Sequence, residues 1–528
     1  MKLRLVARGS VAIALMLIPG LVGSSSSAAG KAWSNAQLIP GLTQLSNGKG
    51  GHTGPVSCSS PGNCTAIGQF LINQPSGGNE ENALFGVTEV NGKWGKTLRI
   101  PGQTVPSTVM TGSISCSSPG NCGAVASSIP SSGNGLWSAL AFNETKGVWG
   151  SVVPIPGPSS LMTNSEALAI SCNSAGDCSA TGNSSVAGPG NNGSIDSAFV
   201  ATEQNGVWGS ASEIQGFPTI PAPLLGLDSG AEIDTISCGS PGNCSAGGSF
   251  SLQNGSGNSF VVDDVNGVWG NEITLTGVTT FTDGGESQVT AVSCSSPGNC
   301  SAGGSYNGVN GSQGSNGVFV ANEVGGDWGT DIGLSGATVT NSGPTLGSMS
   351  CSSSGNCSAG GTYGNAPGLF LVIEANGTWG SAIPVPGLAK LGASKLIADV
   401  DTVSQVSCSS NGNCGAVGTY TNSSNEEKAF VVIESNDAWG NAITVPGVNA
   451  LGAISSGTSI SCVGSGTCVA VGVSQDSNST ATKAFVTSYG AASTVKKVTI
   501  TCTKGKSKRK VTAVRPVCPS GYKLSRLQ

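Results

Sequence analysis

Along most of the chain, short apolar runs alternate with polar turns, and the alternation recurs at a fixed distance. Its clearest copy runs from Val406 to Gly447, VSCSSNGNCGAVGTYTNSSNEEKAFVVIESNDAWGNAITVPG. A run ending in Ser-Cys predicts a first strand. The partner cysteine and the small residues after it predict a second. Ala429-Phe430-Val431-Val432-Ile433, apolar at every position, predicts a third strand buried on both faces. The fourth is predicted to start at Trp439 and end at Pro446-Gly447. Asn91-Gly92, Asn205-Gly206, Asn266-Gly267 and Asn376-Gly377 join third to fourth strands, since Asn-Gly supplies the two positive φ angles of a tight hairpin. Ser-Pro-Gly-Asn between the cysteines marks the first hairpin.

The first cysteines of successive pairs are 58, 56, 66, 56, 57, 57 and 54 residues apart, a period near 57. Trp33 to Gly41 reads as a fourth strand with nothing before it, and the last copy stops after its third strand, at Ala484-Phe485-Val486-Thr487. Seven whole units and two complementary fragments make eight. The predicted fold is all-β: an eight-bladed β-propeller of four-stranded antiparallel blades, its ring closed by the N-terminal strand. An open solenoid has no need of complementary broken ends.

Composition agrees. Gly fills 82 of 528 positions and only 10% are charged, which suits turn-rich β structure over helices. Residues 1–29 read as a signal peptide: Lys2, Arg4 and Arg8, an apolar run from Val11 to Val22, then small residues with cleavage near Ala28 or Ala29. The expected localisation is secreted, extracellular or cell-surface, with no transmembrane segment in the mature chain. Residues 30–490 are the expected propeller, and residues 491–528 a basic C-terminal module. The first of these holds 28 acids against ten bases, and the second ten bases and no acid.

Eighteen cysteines in an exported chain predict disulfides. Eight pairs are C-x5-C: Cys58/Cys64, Cys116/Cys122, Cys172/Cys178, Cys238/Cys244, Cys294/Cys300, Cys351/Cys357, Cys408/Cys414 and Cys462/Cys468. The ninth, Cys502/Cys518, lies in the tail. The spacing is not that of a zinc site, and His52 is the single histidine, so no metal and no cofactor are expected. Each small loop closed this way contributes roughly 2 kcal/mol on the chain-entropy model.

The unit resembles Asp-box and photosystem II assembly-factor-like propeller repeats, in which an apolar strand, a tight turn and an Ala-Val-Gly strand follow one another. Val406-Ser407-Cys408 through Ala416-Val417-Gly418 carry the likeness, which covers roughly residues 33–487. A cysteine pair replaces the Asp of the box. The tail is similar to a short terminal module of exported actinobacterial proteins, matching at Ile500-Thr501-Cys502, Lys504-Gly505-Lys506, Val511-Thr512 and Pro516 to Tyr522.

No catalytic constellation is present. A sialidase needs an arginine cluster to clamp the substrate carboxylate, and residues 30–490 hold one arginine, Arg99. A Ser-His-Asp triad could use only His52, which reads as a solvated residue of a Gly-rich loop. Acids recur once per unit before the turn into the Trp strand, at Glu89, Glu144, Glu203, Asp264, Glu323, Glu374 and Glu434. Their regularity predicts a polar strand end facing solvent or a neighbouring blade, with a repeated cation site as the alternative. The repeat tryptophans read as inter-blade packing.

In a four-stranded meander the first-to-second and third-to-fourth turns share one face, and both are short here. The other connections vary in length, which makes their face the predicted binding face. Its candidates are Trp137, an off-pattern aromatic, and the acids Asp228, Glu232, Asp234, Asp399 and Asp401. Lys504, Lys506, Lys508, Arg509 and Lys510 are candidates for contact with an anionic cell envelope. The expected function is a non-catalytic binding or scaffold protein whose partner is an extracellular protein or a glycan, with no nucleic acid involved. A glycoside hydrolase or lyase using the variable-face acids, and a structural surface-layer component, are the alternatives.

Overall fold

The computed structural model describes residues 31–73, 81–103, 107–130, 135–158, 162–187, 194–217, 229–251, 257–278, 285–308, 316–337, 343–363, 368–393, 401–410, 412–490, 498–505, 507–513 and 518–524. The signal-peptide region lies outside them. The chain is all-β, and helix among the described residues is confined to short turns such as Leu42–Leu45. Ala32–Gly490 form one compact unit, and the C-terminal segment belongs to another.

Within Ala32–Gly490 each cysteine pair opens an antiparallel meander. In the first, Gly51–Ser60, Asn63–Asn73 and Glu81–Val90 lie side by side, with Lys93–Trp94 on the outer edge. We number these meanders one to eight by their cysteine pairs. Cysteines sit directly opposite one another, as in Cys58↔Cys64, and all nine disulfides are formed. The second cysteine of each C-x5-C pair is buried: Cys64, Cys122, Cys178, Cys244, Cys300, Cys357, Cys414 and Cys468 are 1–5% exposed. These sulfurs are staples inside the sheets. The Asn-Gly turns have the required geometry: Asn91 φ 51° and Gly92 φ 77°, Asn376 φ 52° and Gly377 φ 78°.

The fourth strand is not continuous as expected. It is two fragments, Lys93–Trp94 and Leu98–Arg99, both paired with Glu81–Val90. The chain bulges outward after Trp94, where the Gly95 N–H still donates to Thr88 O at 2.9 Å.

A fully buried phenylalanine anchors every third strand: Phe85, Phe142, Phe199, Phe260, Phe319, Phe370, Phe430 and Phe485. In meander seven Phe430 lies opposite Gly418, where a Cβ would stand 2.7 Å from the ring and 2.0 Å from Thr402 O. Glycine is required there because a ring and a backbone carbonyl occupy the place of its side chain. Meander two carries Ala126 where the other seven have this glycine. There Phe142 sits two residues along, opposite Ala124, and Leu140 faces Ala126. The exchange of Gly for Ala and the displacement of the ring go together.

Successive first strands are joined by one repeated hydrogen bond. The Cys116 N–H donates to Ser57 Oγ at 3.0 Å, and Cys172 to Ser115 at 2.9 Å. Cys238, Cys294, Cys351, Cys408 and Cys462 do the same to Ser171, Ser237, Ser293, Ser350 and Ser407. The Cys58 N–H donates to Ser461 Oγ at 3.0 Å, which links the first meander to the last in the same manner. Thr53 Oγ1 also donates to Gly472 O at 2.8 Å. Meander eight, which lacks a fourth strand of its own, takes Ala32–Trp33 and Gln37–Leu38 as its edge, with Trp33 opposite Tyr489 and Leu38 opposite Phe485.

The C-terminal unit contains a three-stranded sheet. Val498–Lys504 lies between Ser507–Ala513 and Lys523–Leu524, and the Cys502–Cys518 disulfide ties it together.

Gly418→Ala should cost about 1–3 kcal/mol by denaturant unfolding, the range for overpacking. Ala126→Gly should cost about 1 kcal/mol or less. A neutral Gly418→Ala would contradict the role given to the ring.

Candidate binding surface

The recurrent acids are buried against the neighbouring meander, the second of the two placements expected for them. All seven are 1–5% exposed. Each sits opposite the repeat tryptophan of its own sheet, as Glu89↔Trp94 and Glu374↔Trp379, and four of them bond to the preceding meander. Glu144 accepts from Thr65 Oγ1 at 2.9 Å and from Thr88; Glu203 accepts from Asn143, Glu374 from Asn322 and Glu434 from Ser358. The tryptophans take part. Trp379 Nε1 donates to Asn322 Oδ1 at 3.2 Å, and the Trp149 ring fills the space over Gly86 in the meander before it, 2.4 Å from where a Cβ would be.

Burial pushes Glu89, Glu203, Asp264 and Glu374 upward, and raises Glu323 and Glu434 to about 7. Raised carboxyls are a signature of catalytic sites as well as of structural ones. Here each lies in the seam between two meanders, and two of them, Glu203 and Glu323, also line clefts of about 470 and 480 Å³ at the short-turn end. The seam between meanders four and five adds a second cause. Glu323 faces Asp263, whose oxygens accept from Ser245 Oγ at 2.6 Å and Trp328 Nε1 at 3.0 Å.

The two short turns of a meander are bonded to each other, as in Gly92 N–H to Gly62 O and Gly377 N–H to Gly355 O, both 2.8 Å. The Asn63 Oδ1 accepts from Asn91 N–H, and Asp177 and Asn356 do the same in their own meanders. That end is therefore uniform and internally braced.

The opposite end differs from unit to unit. Every first strand carries a bulge, for example between Thr53 and Val56 and between Ile233 and Thr235. Just before it stands the residue whose carbonyl covers the second-strand glycine. This equivalent position holds His52, Glu166, Glu232, Gln288, Thr345, Thr402 and Ser456 in seven meanders. Bulges re-aim side chains beside functional sites, and here they present different chemistry at one repeated position. His52 is exposed and paired with Gln69 on a strand, not placed in a loop.

A cleft of 280 Å³ opens between meanders four and five at this end, lined by Asp196, Glu232, Glu286, Gln288, Ser287 and Phe250 among others. It forms where Ile195 and Asp196 of meander three pair in parallel with Ser229 and Gly230. At Gly230, φ 137°, a Cβ would stand 1.9 Å from Asp196 O, so only glycine permits the approach. Gln288 donates to Asp234 Oδ2 at 2.6 Å. Burial first, then the charges of Asp234 and Asp196, raise the Glu232 carboxyl.

Of the sequence candidates, Glu232 lines this cleft and Asp234 stands behind it. Asp228 and Asp399 lie outside the described residues. Asp401 is 5% exposed and accepts from Thr421 Oγ1 at 2.7 Å, so it is a structural acceptor and not a surface contact. Trp137 is half-buried away from the cleft, and its backbone N–H donates to Asn164 Oδ1 at 3.1 Å. Asp196, Glu286 and Gln288 were missed. Their signal was the position ahead of the bulge and the gap between third and first strands, neither of which a periodic pattern shows. Among the described residues no group of three or more His, Cys, Asp or Glu is placed to hold a metal. Lys504, Lys508, Arg509 and Lys510 are exposed on the tail sheet, and Lys506 lies outside the described residues.

No family model matches the chain, and no curated protein matches it. Among solved structures it is similar to the Hadza microbial sialidase Hz136, at 11% identity over 69% of this chain and 73% of that one, TM-score 0.34. It is similar to Sqt1 of Chaetomium thermophilum at 10% identity, over 87% and 99%, TM-score 0.43. The NanB sialidase of Streptococcus pneumoniae gives 11% over 86% and 70%, TM-score 0.30. A likeness at this level says nothing of activity. Arg99, on the outer edge of meander one, is exposed and opposite Phe85.

The buried carboxyls set a pH dependence. Glu323 has a folded value near 7 against 4.5 ordinarily, so its contribution to stability falls as pH rises from about 4.5 through about 7. Glu323→Gln should therefore raise the urea midpoint relative to the unsubstituted protein at pH 8 more than at pH 5. An equal effect at both would contradict the buried, raised carboxyl.

Proposed function

We propose that this chain is an exported, non-catalytic binding scaffold built on an eight-bladed, closed β-propeller, which engages an extracellular protein or a glycan through its variable end. One observation carries the reading. The repeated acids, tryptophans and short turns are consumed in bracing the sheets, whereas the position before each first-strand bulge changes chemistry from meander to meander. Chemistry that varies on a rigid, repeated frame is how scaffolds carry recognition.

Support for a closed ring comes from the Cys58–Ser461 and Thr53–Gly472 hydrogen bonds and from the pairing of Ala32–Trp33 with the last long strand. Support for export comes from the nine disulfides, which suit an oxidising compartment. No helix among the described residues is long and apolar enough to cross a membrane. The basic C-terminal unit holds the protein at an anionic envelope by charge.

The acids of the 280 Å³ cleft favour a second reading, a glycoside hydrolase or lyase with Glu232 as the raised acid. The two separate in one experiment. The exported chain is screened against cell-wall polysaccharides and envelope proteins, and the hit is measured with Glu232→Gln and Gln288→Ala. A scaffold loses about tenfold or more in affinity with no product formed at any pH, a loss of about 1.4 kcal/mol. Turnover that disappears in Glu232→Gln would establish the enzyme instead. Deleting residues 491–528 should release the protein from washed cells at low salt; unchanged retention would overturn the tethering.

A further inference from the structure

The tail sheet divides its residues by register, and the division identifies a surface. Paired residues of an antiparallel ladder share a face, and neighbours along a strand alternate. Thr501 is opposite Lys510, and Thr503 opposite both Lys508 and, on its other side, Lys523. These five side chains therefore share one face. Cys502, opposite Arg509, and Lys504, opposite Ser507, belong to the other.

The two faces differ in what covers them. Cys502 is wholly buried and bonded to Cys518, and the returning segment brings Gly521 against Lys504, 3.2 Å from its Nζ to a Cβ built at that glycine. On the first face Lys508, Lys510 and Lys523 are exposed, and Thr501 and Thr503 are half-buried between them. Strand geometry puts Lys508 and Lys510 about 7 Å apart along their strand, and Lys508 and Lys523 about 10 Å apart across Thr503. No acid occurs anywhere in residues 491–528 to neutralise them.

We propose that this Lys508/Lys510/Lys523 face, with the Thr501 hydroxyl beside the cations, binds a linear phosphodiester polymer of the polyol-phosphate kind. The assignment rests on the tethering reading above and names its ligand chemistry and its residues. Lysine supplies compact point charges suited to phosphate. Spacing along and across the strands lets one chain of phosphates meet successive cations while the Thr501 hydroxyl bonds an oxygen between; the Thr503 hydroxyl donates to Lys523 O at 3.4 Å and braces the sheet beneath them. Among its described residues the face has no aromatic platform of the kind that single-stranded nucleic acid stacks on, and no apolar wedge of the kind that enters a lipid surface. Charge complementarity with a backbone of bare phosphates is what remains.

The test uses the full exported chain, its disulfides verified by non-reducing mass analysis, and synthetic poly(glycerol phosphate) titrated over a range of salt. Lys508→Gln/Lys510→Gln/Lys523→Gln should flatten the slope of log K against log salt by about 2, at roughly 0.7 for each phosphate no longer engaged, and weaken binding about tenfold or more near physiological salt. Lys504→Gln/Arg509→Gln should leave slope and affinity nearly unchanged. Equal losses in the two variants would overturn the face assignment while leaving tethering intact. Equal or tighter binding to single-stranded DNA, or binding to phosphatidylglycerol vesicles with none to the polymer, would overturn the ligand class. Retention on washed cells that survives deletion of residues 491–528 would overturn tethering itself, whatever the polymer result.

Discussion

A backbone N–H at the centre of a packed array of sheets must find an acceptor, and the serine before each first cysteine provides it. The Ser-Cys dipeptide thus performs two tasks in adjacent residues. Its cysteine staples a hairpin within one sheet, and its hydroxyl receives the cysteine N–H of the next. An unpaired buried donor costs about 1–3 kcal/mol, so the eight bonds fix both the spacing and the order of the first strands. With those strands fixed, the small residues of the second strand and the phenylalanine of the third can pack at backbone distance. The outward-bulging fourth fragment then covers the seam with its tryptophan.

The same logic explains why a chain with seven buried carboxyls need have no active site. Glu144, Glu203, Glu374 and Glu434 close their seams by accepting hydrogen bonds from the sheet before, and in two seams a tryptophan indole N–H donates to that sheet. The cost is electrostatic. Burial holds Glu323 and Glu434 near 7, and at Asp263 a second carboxylate shares the seam. These groups consequently make the frame sensitive to alkaline pH. Variation is left to the opposite end, where bulged first strands place His52, Glu166, Glu232 and Gln288 at one repeated position.

Much of the frame was legible in the sequence because its determinants are local. Asn-Gly turns, paired cysteines and an apolar third strand each specify their own conformation, and the period specified their repetition. The anomalous Ala126 was also visible, although its meaning depended on Phe142 being displaced by two residues. What stayed hidden was set by distant partners. Whether Glu203 meets water or protein is decided by Asn143, sixty positions upstream, and nothing in a strand-end acid announces this. Asp401 reads as a surface acid until Thr421 is placed against it. The cleft beside Glu232 depends on Gly230 admitting the carbonyl of Asp196, an approach that no periodicity encodes.

The bond between Cys58 and Ser461 distinguishes a ring from an open row of sheets more directly than any other. Amide hydrogen exchange on the folded, exported protein reads it residue by residue. In a ring the Cys58 N–H is protected to the same degree as those of Cys116, Cys294 and Cys408, because all four donate to the same kind of acceptor in the same surroundings. Exchange at Cys58 orders of magnitude faster than at the other three would mean that the first and last sheets do not meet.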